Sequence, residues 1–203
     1  MKKTAILVIA LGVIGLGANS AMALAHSSSC HTCHVPHNAG DPTALAIPLW
    51  NPASFAAPLP LFTTYTSPKF NIANGGVAAG QPDGASRVCL GCHDGGYTMS
   101  NQKDVIKPED LGRSHPVSFV YDSLMASKVT DGSLRNPDVA LSQIPGSSRT
   151  ITADLLDGNK KLQCTSCHDV HMSGNGENHL RWTYAYSPAT SNDGSICRVC
   201  HQK

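Results

Sequence analysis

Cys30-His31-Thr32-Cys33-His34 opens a pattern that returns three times, as Cys89-Leu90-Gly91-Cys92-His93, Cys164-Thr165-Ser166-Cys167-His168 and Cys197-Arg198-Val199-Cys200-His201. Each unit reads Cys-x-x-Cys-His, and all 8 cysteines of the 203-residue chain fall inside these units. With 8 Cys and 10 His available, a given Cys would meet Cys at +3 and His at +4 only about 0.002 of the time by chance. Every possible start does so.

Cys-x-x-Cys-His is the attachment signature of c-type haem. Two thiols three positions apart add to the two vinyl groups on one edge of the porphyrin, and the adjacent His supplies an axial nitrogen to the iron. A disulfide framework would use the same even number of cysteines but would not place His after every second one. Zinc uses Cys-x-x-Cys pairs and His as ordinary ligands, but makes no demand on the residue after the second Cys. The reading adopted is four covalently bound haem c groups. They are tethered by Cys30, Cys33, Cys89, Cys92, Cys164, Cys167, Cys197 and Cys200, with His34, His93, His168 and His201 as proximal ligands.

Ahead of the motifs, Met1-Lys2-Lys3 is followed by the apolar run Ala5 to Ala18 and by Ala21-Met22-Ala23. A basic start, a short apolar stretch and a small-x-small site read as a secretory signal peptide over residues 1–23, with cleavage after Ala25 as the alternative. The run is shorter than the ~20 apolar residues a spanning helix needs. The expectation is an exported chain, 24–203, forming one tetrahaem domain with no membrane span. Loss of Lys2 and Lys3 changes the balance from 15 basic and 14 acidic residues to 13 and 14, a net −1 before the haem propionates are counted. With no basic patch and no groove of aromatic and Arg residues, nucleic-acid binding is excluded.

Between the first two motifs, residues 41–88 carry only Asp41, Lys69, Asp83 and Arg87 as charges, with many Pro, Ala and Gly. Periodicity is weak at both 2 and 3.6 residues, so this stretch reads as an irregular wrap with turns. Such a segment suits the cover of porphyrin faces and a subunit interface equally. In the connector, short helices are expected around Ser123–Val129 and Thr152–Leu156, the second capped by Thr152 and closed by Gly158. The alternation over residues 181–186 fits a short strand or an extended haem-packing edge. The chain as a whole is expected to be mostly coil, with a few short helices and little or no strand. It forms a single small domain organised around four stacked haems, and its composition promises no large core of its own.

Six His remain beyond the proximal four: His26, His31, His37, His115, His171 and His179. After leader removal only Met99, Met125 and Met172 are left as thioether ligands, so bis-His ligation is the default, and it implies low-potential haems. The distal set chosen is His26, His37, His115 and His171. His31 is trapped inside a motif against its own haem, and His179 lies in a Gly/Asn-rich turn region as the first replacement. His37 and His171 each stand three residues past a proximal His, in Cys-x-x-Cys-His-x-x-His, and are read as serving a different haem from that neighbour's.

The chain resembles the multihaem c-type cytochromes of the paired Cys-x-x-Cys-His type. The resemblance rests on Cys30–His37 with Leu49-Trp50-Asn51-Pro52, on 86–95 around the second motif, on Ser114-His115-Pro116-Val117 and on Cys164–His171. Within that group the length, the haem number and the early His26/His37 arrangement are similar to the extracellular tetrahaem cytochrome filaments of metal-reducing bacteria. The resemblance implies a continuous haem stack and a homopolymeric conductive filament. It also implies a distal His, here His37, shared between subunits, with other cytochromes and an extracellular acceptor such as a metal oxide as redox partners. A soluble monomeric periplasmic shuttle is the alternative. A multihaem reductase fits less well, because six spare His make an open iron unnecessary and no repeated carboxylate pair or Ser/His/Asp set invites acid–base or nucleophilic chemistry.

Overall fold

A computed structural model describes residues 33–35, 37, 60–95, 105–171, 179–181 and 196–202. The leader, Cys30, His26, His31, residues 41–59 and the alternating stretch beyond Arg181 lie outside the described residues. Over the described residues the chain is mostly coil with a few short helices and one two-stranded sheet.

The stretch read as an irregular wrap contains helix. Pro68–Ala73 forms α1, begun by Ser67, whose hydroxyl accepts the Phe70 N–H at 3.2 Å, and by Pro68 at a position where no N–H is needed. Gly84–His93 forms α2. Periodicity misses both for a physical reason. Only Ala73 of α1 is buried, and α2 buries Ser86, Val88 and Leu90, a set with a polar member and no continuous apolar stripe.

The two helices expected in the connector are present with shifted ends. Ser123–Lys128 forms α3, capped by the Asp122 carboxylate on the Met125 N–H at 2.7 Å. Ile151–Leu155 forms α4, and its cap is Thr150, not Thr152. The Thr150 hydroxyl accepts the Ala153 N–H at 3.4 Å, while the Thr152 hydroxyl is taken up in donating to Asp138 at 2.9 Å; Ile151 is fully buried. The helix stops at Leu155, with Leu156 as its cap, two residues before Gly158.

Phe119–Val120 (β1) pairs antiparallel with Lys161–Leu162 (β2), Phe119 opposite Leu162. The ladder carries the chain straight into the third motif, whose turn Cys164–Cys167 is α5. The fourth motif lies on α6, Ile196–Cys200. Among the described residues the buried apolar side chains fall into two clusters. The larger gathers Phe119, Tyr121, Met125, Ile151, Leu155 and Val199; the smaller joins Phe62, Leu90 and Leu111. Each contains one residue from inside a Cys-x-x-Cys-His motif, Val199 and Leu90 respectively. Truncating Ile151 to Ala should destabilise the fold by about 2–5 kcal/mol, because a fully buried branched side chain leaves a cavity. Leu124→Ala, at a position 61% exposed, should stay within about 0.5 kcal/mol. Chemical denaturation followed by far-UV circular dichroism measures both.

Candidate cofactor-attachment site

A Cys at i and another at i+3 share one face only if the backbone between them turns helically. The second to fourth motifs are built that way. In the third, the His168 N–H bonds back to the Cys164 carbonyl at 3.0 Å; in the fourth, His201 N–H reaches the Cys197 carbonyl at 2.9 Å. The second occupies the last turns of α2. Isolated helices of this length are not stable, so tertiary anchors hold them. Each of these turns buries one of its middle residues: Leu90 at 1% exposure, Ser166 at 2%, Val199 at 0%. Fixing one edge of the turn in the interior leaves its Cys pair presented along another.

The second and third motifs meet through their thiols, and charges of successive motifs are felt along the rest of the series. Cys89 and Cys164 are hydrogen-bonded neighbours. The bond pulls the Cys164 thiol down to about 7 against the effect of burial, and with burial pushes the Cys89 thiol up. Burial, then the charge of Cys33 from the first motif, raises Cys92. Cys167 is pushed up to about 11 by burial and by Cys197 and Cys164. Cys200 is pushed up to about 12, again by burial first and then by Cys167. Only the second and third motifs are joined by a thiol hydrogen bond; the first and second, and the third and fourth, influence one another through charge.

Two predicted proximal His face predicted distal ones. The rings of His34 and His171 have centroids 6.0 Å apart, and those of His201 and His115 are 6.2 Å apart. The first pair is near parallel, at 29°, and the second is edge-on, at 76°; a His nitrogen about 2.0–2.1 Å from each side of one metal ion leaves ring centroids roughly 6 Å apart, a spacing both pairs share. His115 Nδ1 lies 2.9 Å from the Pro116 carbonyl, an acceptor only, which places the proton on Nδ1 and leaves the lone pair on Nε2. Asp169 accepts the His171 backbone N–H at 3.0 Å and stands 3.7 Å from its Nδ1. Arg181 pairs with Asp169 at 3.2 Å and donates through Nε to the Thr165 carbonyl at 2.9 Å, tying this side to the third motif. Burial, then the neighbouring His115, pushes the His201 imidazole down.

Among the described residues no group of three or more His, Cys, Asp or Glu side chains converges to hold a metal ion. A haem iron needs no such cage, since the porphyrin supplies its equatorial ligands and the protein only the axial ones. His37 is exposed, and His179 sits at a positive φ of 56°, its carbonyl accepting the Asp169 N–H at 2.8 Å. Sequence reasoning missed the residues that hold the turns, above all Ser86, Ser118, Tyr121 and Gln163, all buried. Gln163, a long amide directly before a Cys and after apolar Leu162, carried the one visible signal. No helix among the described residues is long and apolar enough to cross a membrane. No protein-family model matches the chain, and no curated protein matches it significantly.

In the chain before haem is attached, alkylation at pH 7 should label Cys164 well ahead of Cys167 and Cys200. The hydrogen bond from Cys89 favours the Cys164 thiolate, whereas burial and neighbouring thiols hold Cys167 and Cys200 protonated. Peptide mass spectrometry after a short iodoacetamide pulse reads the order, and the gap should narrow as pH rises towards 11.

Proposed function

We propose that this chain is an exported tetrahaem c-type cytochrome that passes electrons along four closely spaced haems. We propose further that it polymerises into an extracellular filament delivering them to acceptors such as metal oxides. The observation that carries the reading is the fourfold Cys-x-x-Cys-His pattern, which uses every cysteine of the chain.

Haem supplies a one-electron ferric/ferrous couple when bound. The chain's own residues do the rest. The paired Cys tether, and His34, His93, His168 and His201 supply the proximal nitrogens. The 6.0 and 6.2 Å ring pairs support His171 as the ligand opposite His34 and His115 as the ligand opposite His201. An iron held between two imidazoles offers no position to a substrate, which favours a carrier over a reductase. The contact of Cys89 with Cys164 supports a close approach of the second and third haems, because neighbouring tethers bring neighbouring haem edges together.

Polymerisation rests on the resemblance to tetrahaem filaments and on the low charge of residues 41–88. Leu61 and Ile72, 85% and 67% exposed, add apolar surface within that stretch.

Intact-mass measurement of the exported protein should find the sequence from residue 24 or 26 onward plus four haems. His115→Ala should keep four haems while one becomes high-spin, seen by electron paramagnetic resonance. A wholly low-spin spectrum in that variant would remove His115 from the ligand set. Negative-stain electron microscopy of culture supernatant should show regular filaments bearing the haem spectrum, and His37→Ala should retain four haems but abolish long assemblies. Small monodisperse particles from the parent protein would instead favour the periplasmic shuttle.

A further inference from the structure

Between the second and third motifs lies a buried polar knot that haem attachment and ligation do not use. The side-chain amide of Gln163, in a residue 1% exposed, has every hydrogen-bonding position filled. Its Oε1 accepts from the Ser86 N–H at 3.2 Å, the Ser86 hydroxyl at 2.6 Å and the Ser118 hydroxyl at 3.2 Å. Its Nε2 donates to Asp83 at 3.1 Å and to Asp157 at 2.9 Å. Ser86, itself 0% exposed, turns its hydroxyl oxygen the other way to accept the backbone N–H of Cys164 at 3.0 Å.

The bond from Cys164 to Ser86 joins two motifs. Ser86 lies on α2 three residues before Cys89, and Cys164 begins α5. Only an amide satisfies both sides of the knot: a carboxylate could accept from the serines but not donate to the two aspartates, and Leu could do neither. Fit around it is close. Gly84 has φ +48°, and a Cβ there would stand 3.0 Å from Gln163 Nε2. Lys161 pairs with Asp83; burial alone would raise that carboxyl, but the bonds from Lys161 and Gln163 outweigh it and leave it below its ordinary value.

The location gives the knot its consequence. The second motif is anchored through Leu90 in the smaller core cluster and the fourth through Val199 in the larger one. The knot spans the junction at which Cys89 meets Cys164. We propose that Gln163 is a positioning residue: acting through Ser86, it holds Cys164 against Cys89 and so sets the separation of the second and third haems, the step at which electrons pass between the two halves of the chain. This rests on the tetrahaem reading. Because thioether bonds are covalent, a shift of either turn carries its haem along, and the Coulombic interaction between neighbouring redox centres changes with their distance.

The test uses the full-length, haem-loaded protein. Gln163→Leu is expected to keep four haems by mass and a low-spin spectrum, but to shift two of the four reduction steps in a spectropotentiometric titration. The bisignate Soret circular dichroism that reports haem–haem coupling should weaken with them. If Gln163→Leu does not accumulate with haem, Ser86→Ala decides the matter, since it removes the Cys164 bridge and leaves the Gln163 bonds to Ser118, Asp83 and Asp157. Unchanged potentials and Soret dichroism in the loaded variant would overturn the proposal, as would a uniform shift of all four steps, which marks general loosening. A parent protein lacking four haem masses would instead overturn the tetrahaem reading itself.

Discussion

Short helical turns impose the governing constraint on this chain. Helices of four to ten residues are below the length at which a helix is stable in water, so each must be held from outside. Here the holding is done by single buried residues inside the motifs and by side chains that bond to distant backbone. Ser86 and Gln163 are 77 positions apart in sequence and meet at 2.6 Å. The Tyr121 hydroxyl reaches the Arg135 carbonyl at 2.5 Å, and Arg135 donates in turn to the Arg198 carbonyl at 3.2 Å, next to Cys197. Such contacts position a cysteine pair without a long element behind it.

The arrangement explains how little conventional core the described residues carry. Two modest clusters are enough because each has one motif residue to pin rather than a sheet or bundle to support. In the tetrahaem reading the porphyrin faces supply the remaining apolar surface, and the thioether tethers restrict the unfolded chain much as cross-links do. Coil is then an economical backbone. It can follow a flat cofactor face, whereas a helix or strand presents a fixed period.

Burial and hydrogen bonding act together on the side chains of the site. The thiols of Cys167 and Cys200 are raised chiefly because they are buried, whereas Cys164 is lowered by the thiol of Cys89 on the neighbouring motif. On the imidazole side, the Pro116 carbonyl fixes the tautomer of His115, and Asp169 holds the His171 backbone. These are partners of the kind that orient axial ligands and tune a metal from outside its coordination sphere.

The four Cys-x-x-Cys-His units are legible in the residues alone, because the pattern is one of fixed spacing and no structure is needed to see it. The coil-dominated character and the helices at Ser123–Lys128 and Ile151–Leu155 also follow from local signals of composition and capping. Tertiary structure decided the rest. Helices α1 and α2 escaped the sequence because their buried faces are too short to set a period. Thr150 rather than Thr152 caps α4, the Thr152 hydroxyl being taken up in donating to Asp138. Which His faces which, His171 with His34 and His115 with His201, depends on contacts between distant segments, and spacing along a chain carries no information about them. The same holds for Gln163: its identity is plain in the sequence, but its five hydrogen-bond contacts exist only where Ser86, Ser118, Asp83 and Asp157 are folded around it.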